Sequence, residues 1–180
     1  MGAYIENVRV RTGSGKITGN ELDNSITGSN KDNTLYGADG DDFLKGNGGF
    51  DILRGGFGDD VLIGGSGLDR LTGGEGADRF TYLALTDSKP NRNYADIIRD
   101  FFHSEGDQIS VKGIDAIAGG EDDAFTFIGT DAFSHTAGEL RYETNGIDTF
   151  VELDVDGDAR VDMTIKLYGV IDLQTSDFIL

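Results

Sequence analysis

Aspartate returns every nine residues through the first half of this chain, at Asp42, Asp51, Asp60, Asp69 and Asp78, with Asn24 and Asn33 in the same register ahead of them. A glycine stands five residues before each of the seven: Gly19, Gly28, Gly37, Gly46, Gly55, Gly64 and Gly73. A second glycine stands two residues before each of the five aspartates, at Gly40, Gly49, Gly58, Gly67 and Gly76. Carboxylates joined to glycine-rich backbone make an oxygen-only ligand set, which suits a hard divalent cation. Ca²⁺ takes six to eight oxygens at ~2.4 Å and tolerates flexible loops. Mg²⁺ demands tighter octahedral geometry, and Zn²⁺ prefers His or Cys.

The elements that position these groups follow from the repeat. Cut every nine residues from Thr18, the chain reads TGNELDNSI, TGSNKDNTL, YGADGDDFL, KGNGGFDIL, RGGFGDDVL, IGGSGLDRL, TGGEGADRF. Position two is always Gly, and position nine is always large and apolar: Ile26, Leu35, Leu44, Leu53, Leu62, Leu71, Phe80. Glycine supplies backbone at φ > 0 for sharp turns. One apolar residue between polar neighbours makes a short strand with one side chain inward. Turn plus strand, repeated, winds the chain into a flattened coil with two repeats per circuit and a strand spacing of ~4.8 Å. Asp42, Asp60 and Asp78 then stack in one column, and Asp51 and Asp69 in another. Two charges ~5 Å apart at an effective dielectric of ~20 repel by about 3 kcal/mol, so each column calls for a cation.

Composition sets the outer bounds. The chain has 180 residues, 33 Asp+Glu against 15 Lys+Arg, a formal charge of −18, 28 Gly, one Pro and no Cys. The charge argues against a nucleic-acid partner. Without cysteine there is no disulfide, no thiolate metal site and no Cys nucleophile. No apolar run reaches the ~18 residues of a membrane span. Residues 1–16 are polar and lack the apolar stretch of a signal peptide. Such acidity fits either disorder or neutralisation by a multivalent cation, and the repeat selects the second.

RGGFGDDVL, IGGSGLDRL and TGGEGADRF resemble the nonapeptide G-G-x-G-x-D-x-U-x of RTX proteins. The resemblance implies an all-β fold, a parallel β-roll with Ca²⁺ held between stacked turns by carboxylates and turn carbonyls. It assigns ligands to positions two, four, five and seven of repeats three to seven. These are Gly37, Asp39, Gly40 and Asp42; Gly46, Gly48, Gly49 and Asp51; Gly55, Phe57, Gly58 and Asp60; Gly64, Ser66, Gly67 and Asp69; Gly73, Glu75, Gly76 and Asp78. Repeats one and two carry Asn at position seven and Leu22 and Lys31 at position five. They read as a cap with weak or absent calcium sites. Three stacked pairs then carry Asp on both sides, 42/60, 51/69 and 60/78.

After Phe80 the register stops. DRFTY, DSKPNRNYADIIRDFFHSEGDQISV, FTFIG, VELDVDGDARVDMTIKLYG and the final DFIL resemble the C-terminal domain of serralysin-type metalloproteases, which also follows mannuronan C5-epimerases and secreted glycanases. The expected division is a lead-in over 1–17, the roll over 18–80 and a β-rich capping region over 81–180. Alternation predicts strands at 97–101, 108–111, 124–128, 139–143, 148–155, 161–167 and 177–180, with one or two short helices at most. In the families resembled, an ending such as DFIL belongs to an uncleaved type I secretion signal; it also suits a strand that completes the cap.

Other chemistry finds little support. DVDGDARVD lacks EF-hand spacing, because Gly157 falls at position four and Ile165 at position twelve. Its Asp-Gly favours a plain acidic hairpin, with an extra ion as the alternative. His103 and His135 lie outside any H-E-x-x-H, and no G-x-S-x-G is present. Lys45, Arg54, Ile63 and Thr72 are successive position-one residues, so they alternate between faces and form no continuous basic stripe. Lys45, Arg54, Arg70 and Arg79 therefore read as solubilising. The expected protein is a monomeric, secreted, extracellular, non-catalytic fragment of a larger enzyme. It binds several calcium ions, about three to five, and is disordered at low Ca²⁺ and folded at high Ca²⁺. Its partners are calcium and the type I secretion machinery. The alternative is a calcium-dependent module binding an acidic polysaccharide.

Overall fold

The computed structural model describes residues 7–9, 12–117 and 123–180. The lead-in and repeats form nine strands: β1 (Asn7–Arg9), β2 (Gly15–Thr18), β3 (Ser25–Thr27), β4 (Asn33–Asp39), β5 (Phe43–Gly49), β6 (Ile52–Phe57), β7 (Val61–Gly67), β8 (Arg70–Glu75) and β9 (Arg79–Thr81). The remainder adds β10 (Asp96–Ile98), β11 (Gln108–Ser110), β12 (Thr126–Phe127), β13 (Glu139–Thr144), β14 (Asp148–Asp154), β15 (Met163–Tyr168) and β16 (Phe178–Ile179). Two three-residue 3₁₀ turns, Leu85–Asp87 and Thr175–Asp177, are the helical elements among the described residues.

Successive strands alternate between two sheets, so two nonapeptides make one coil. The seven-stranded sheet runs β1-β3-β5-β7-β9-β11-β16, all parallel. The nine-stranded sheet runs β2-β4-β6-β8-β10-β15 in parallel, then adds the antiparallel β14 and β13 and finally β12. Within the repeats each residue lies beside the one 18 positions on, Leu44 beside Leu62 and Leu35 beside Leu53.

Because strand side chains alternate in direction, the position-nine residues line the interior in two ladders. Ile26, Leu44, Leu62, Phe80 and Ile109 stack from one sheet, and Leu35, Leu53, Leu71, Ile98 and Leu167 from the other, all fully buried. They belong to one hydrophobic cluster that continues through Leu140, Val151, Leu153 and Ile165 to Phe178. The region after Phe80 thus shares the core of the roll. It also covers the last rung, whose backbone would otherwise be an open edge.

Strands begin close to where alternation places them, with shifts that have local causes. The strand expected at 97–101 ends at Ile98, because Asp100 turns back to the Gly73 and Gly74 N–H groups at 3.0 and 3.1 Å. The strand expected from 161 begins at Met163, since the Asp162 carboxylate accepts the Val155 N–H at 2.8 Å and closes the hairpin loop.

The faces alternate as the sequence implies, with Lys45 on the seven-stranded sheet and Arg54 on the nine-stranded one. No continuous basic stripe forms, since no two cations are neighbours in register, but the cations gather on one face more than position one alone shows. Lys16, Arg70, Arg99 and Lys166 join Arg54 on the outer face of the nine-stranded sheet. Counting position one alone missed the position-eight cation Arg70. It also missed those that the lead-in and β10 and β15 contribute through non-local pairing.

Candidate metal centre

The position-seven residues form two columns. In one, the Asn24 N–H donates to Asp42 Oδ1 and the Asp42 N–H to Asp60 Oδ1, both at 2.7 Å; Asp60 donates to Asp78 and Asp78 to Asp107, each at 3.0 Å. In the other, Asn33 donates to Asp51 and Asp51 to Asp69, both at 2.7 Å, and Asp69 to Asp96 at 2.9 Å. Each carboxylate therefore spends Oδ1 on the backbone of the rung before it. The second oxygen, Oδ2, of Asp42, Asp51, Asp60, Asp69, Asp78 and Asp96 is buried and has no hydrogen-bond partner. A buried acceptor without a donor costs about 1–3 kcal/mol, more when charged.

What surrounds these oxygens is more oxygen. A Cβ on Gly37 would strike Asp42 Oδ2 and lie 2.8 Å from the Gly55 carbonyl. On Gly55 it would strike Asp60 Oδ2 and lie 2.6 Å from the Gly73 carbonyl; Gly46 faces Asp51 Oδ2 and the Gly64 carbonyl in the same way. The position-two glycine is thus required for space. Its missing side chain lets a carboxylate of its own repeat and a carbonyl of the next rung converge. The position-five glycines serve conformation as well as space, with Gly40 at φ 107° and Gly58 at φ 122°, and a Cβ on Gly58 would strike the Gly40 carbonyl. Two converging acceptors with no proton between them fit a cation, and oxygen donors alone fit Ca²⁺.

Repeats one and two resolve the same geometry without charge. Asn24 Oδ1 accepts the Asn20 N–H at 2.8 Å, and Asn33 Oδ1 accepts the Ser29 N–H at 2.6 Å. In repeats three and four the corresponding position-three residues, Ala38 and Asn47, are left-handed at φ 101° and 81°. Non-glycine residues there carry local strain of about 1–3 kcal/mol, which tends to gather at functional sites. No N–H reaches Oδ2 of Asp42 or Asp51 in those repeats.

Electrostatics agree with the geometry. Burial, opposed by the backbone hydrogen bond, pushes Asp60 up to about 8 from an ordinary 3.8, with the charges of Asp78, Asp42 and Asp41 adding to it. Burial likewise raises Asp51, Asp69 and Asp78 to about 7 and Asp42 to about 6. Such groups hold their protons near neutral pH in the absence of a cation.

The match to known families covers nearly the whole chain: residues 7–180 fit the peptidase M10 serralysin C-terminal family. The chain belongs to that family. It is an RTX-type β-roll module. Two solved structures of subunits of the Azotobacter vinelandii mannuronan C5-epimerase are also similar. AlgE6R2 is 27% identical with a TM-score of 0.45, covering 91% of each chain. AlgE6R3 is 24% identical with a TM-score of 0.42, covering 91% of this chain and 81% of its own. No curated protein sequence matches.

Within this serralysin C-terminal module, the position-four residues sit in the turn ladder, where the Phe57 and Glu75 carbonyls accept the Gly40 and Gly58 N–H groups at 2.8 and 2.9 Å. Asp39, Gly48 and Ser66 occupy the corresponding places in β4, β5 and β7. Sequence reasoning missed Asp96 and Asp107, which extend the columns past the repeats, and Asp100, which accepts the Gly73 and Gly74 N–H groups beside them. A signal existed: Asp96-Ile97-Ile98 and Asp107-Gln108-Ile109 repeat the aspartate, any residue, apolar triplet that ends each of the last five nonapeptides. It also missed an exposed ladder at position six, where Asp23 Oδ1 accepts the Asp41 N–H and Asp41 Oδ1 the Asp59 N–H, both at 2.9 Å.

The DVDGDARVD segment forms the β14–β15 hairpin loop. Ligand oxygens of Asp154, Asp156 and Asp162 lie within 4.8 Å of one another. Asp154, however, already accepts the Gly157 and Ala159 N–H groups, at 2.8 and 2.9 Å. Unlike the repeat aspartates, it is satisfied by its own loop. His103 Nδ1 lies 3.0 Å from Asp177 Oδ2, tying the last 3₁₀ turn to the loop that holds Asp107, and His135 is exposed. No helix among the described residues is long and apolar enough to cross a membrane.

Proposed function

We propose that this module binds Ca²⁺ between its stacked turns and folds when it does so, serving secretion, folding and stabilisation of a larger extracellular enzyme. The observation that carries this reading is the row of buried, unpartnered Oδ2 atoms, of which those of Asp42, Asp51 and Asp60 each face a glycine-made hollow and a carbonyl of the next rung. Five stacked pairs are acidic on both sides, 42/60, 60/78, 78/107, 51/69 and 69/96, and in the third of them Asp78 alone offers a free oxygen, because Asp107 Oδ2 accepts the Phe102 N–H at 2.8 Å. Each would hold one ion through its carboxylates and turn carbonyls, and the ion supplies the positive charge that neutralises the pair.

Each site adds about 2.7 kcal/mol at free Ca²⁺ a hundredfold above its dissociation constant. Five sites supply about 13 kcal/mol, comparable to the whole stability of an ordinary domain. Without the ions the columns must either repel or take up protons, and the glycines regain backbone entropy. On this reading the chain stays unfolded in the low Ca²⁺ of the cell, threads a type I secretion channel and locks outside.

The test is far-UV circular dichroism during a Ca²⁺ titration of EGTA-treated protein, with Mg²⁺ as control and elemental analysis of the endpoint. A cooperative coil-to-β transition specific to Ca²⁺, with about five ions bound, is the expected result. A β signal unchanged in EGTA with no ion retained would overturn the switch.

A further inference from the structure

The two aspartate columns end differently beneath the cap. In the first, Asp107 Oδ1 accepts the Asp78 N–H and Asp107 Oδ2 the Phe102 N–H, so the last carboxylate is satisfied by backbone on both oxygens. In the second, Asp96 Oδ1 accepts the Asp69 N–H at 2.9 Å, and Asp96 Oδ2 is buried with no donor. Asp69 Oδ2 is equally bare. A third buried polar atom without a partner belongs to the same corner of the coil, the hydroxyl of Tyr82, a residue only 1% exposed.

Register places it there. Gly28, Gly46 and Gly64 hold position two on successive rungs of this corner. Leu62 pairs with Phe80, so the residue in line with Gly64 one rung on is Tyr82, and its N–H keeps it in the ladder by donating to the Ser110 carbonyl at 2.9 Å. A Cβ on Gly64 would lie 2.5 Å from Oδ2 of Asp69, the aspartate that closes the same turn. The turn that Tyr82 opens closes at Asp96, since β10 takes the place beside β8. The largest of the fully buried side chains thus stands where the repeats keep a hollow. Burial, then the charges of Asp96, Asp69 and Asp87, push the Tyr82 phenol well above the ordinary tyrosine range. Of these three, Asp87 already gives Oδ2 to the Leu83 and Ala84 N–H groups, at 2.8 and 3.0 Å. Asp69 and Asp96 remain.

We propose that a cation held between Asp69 and Asp96 takes the Tyr82 hydroxyl oxygen as a further ligand, making a terminal site that joins the roll to its cap. The proposal rests on the calcium reading above and adds a side chain that the nonapeptide does not encode. Ca²⁺ accepts neutral oxygens, such as water and carbonyls, beside carboxylates, and a protonated phenol offers a lone pair of the same kind. A ring that only filled the hollow would leave all three oxygens without a partner. Two of the three side chains follow Phe80, so an ion here fixes the start of the capping region against the last coil of repeats. The sites between repeats have glycine at position two, and with it backbone oxygen alone.

The chain has six Tyr and no Trp, which makes tyrosine the sensitiser for luminescence of bound Tb³⁺, an ion that takes the oxygen sites of Ca²⁺. The test loads the full EGTA-treated chain with Tb³⁺, excites it through tyrosine, and checks the fold by circular dichroism and the ion count by elemental analysis. Strong sensitised emission is expected, most of it lost in Tyr82→Phe and retained in Tyr36→Phe and Tyr142→Phe. Asp96→Asn is expected to remove it as well, and Asp107→Asn, at the end of the other column, to leave it. Because Tyr82→Phe keeps the ring, the core stays filled. Calorimetry with Ca²⁺ is expected to show one site weakened about tenfold or more in that variant, with the others unchanged. Unchanged emission and an unchanged calcium isotherm in Tyr82→Phe would overturn the proposal and leave the calcium reading standing. Equal loss of emission in Tyr36→Phe would also overturn it. A parent protein that binds neither ion would overturn the calcium reading itself, and this site with it.

Discussion

At the scale of single residues, the aspartate at position seven and the glycine at position two do different jobs. Asp60 gives Oδ1 to the Asp42 N–H and leaves Oδ2 buried and unpartnered. Asp60→Asn keeps an acceptor for that N–H and removes the buried charge. It is therefore expected to shift the calcium midpoint upward and lose the pairs 42/60 and 60/78, about 2.7 kcal/mol each at hundredfold excess. In EGTA the same variant is expected to be at least as stable as the parent, since an unpaired buried carboxylate is removed. Paired melts in Ca²⁺ and in EGTA read both signs, and a variant destabilised equally in both would contradict the role given to Oδ2. Gly55→Ala probes the hollow from the other side. Its Cβ meets Asp60 Oδ2 and the Gly73 carbonyl without requiring a left-handed backbone, so the damage is steric. Overpacking of about 1–3 kcal/mol and loss of ions at Asp60 are expected by elemental analysis. The sequence made these columns legible because spacing alone brings them together. It did not separate the glycine kept for space alone from the glycine kept for conformation as well, which depends on local φ and on what lies one rung away.

At the scale of elements, the join between roll and cap is the informative place. The coil advances 18 residues per circuit within the repeats, but 27 from Leu71 to Ile98 and 29 from Phe80 to Ile109. The nine-residue register breaks there, so spacing stopped reporting structure although the columns continue through Asp96 and Asp107. Alternation still found the later strands, because it needs only local sequence. What it could not give was that β10 and β15 extend the sheet of β2–β8 and complete the face carrying Arg99 and Tyr168. Asp100 tests the join. It holds the Gly73 and Gly74 N–H groups across 27 and 26 residues. Asp100→Ala is expected to cost about 1–3 kcal/mol and to raise hydrogen exchange at Gly73 and Gly74. Exchange at Gly28, bonded to the Lys45 carbonyl at 2.7 Å, should not change. Uniform deprotection of both ends would mean that the roll opens only as one unit.

At the scale of the whole molecule, charge governs when the fold can exist. Burial lifts Asp60 to about 8, Asp51, Asp69 and Asp78 to about 7, and Asp42 and Asp100 to about 6, from 3.8. A group whose folded pKa lies above its unfolded value binds protons more tightly in the fold. Its stabilisation is fully present below the unfolded pKa and is lost as pH rises through the folded one. The metal-free protein is therefore expected to lose stability as pH climbs from about 4, and to go on losing it until the folded values of about 6 to 8 are passed. The calcium-loaded protein has the opposite slope at limiting Ca²⁺, because protons compete for the same Oδ2 atoms and apparent affinity falls as pH drops through that window. Urea melts in EGTA and calcium titrations, both at steps between about pH 5 and 8, measure the two slopes. Opposed slopes tie the pH response to the aspartate columns. A metal-free stability that is flat or rises with pH would show that the columns are already hydrated without calcium, and that the ions then decorate a roll they do not build.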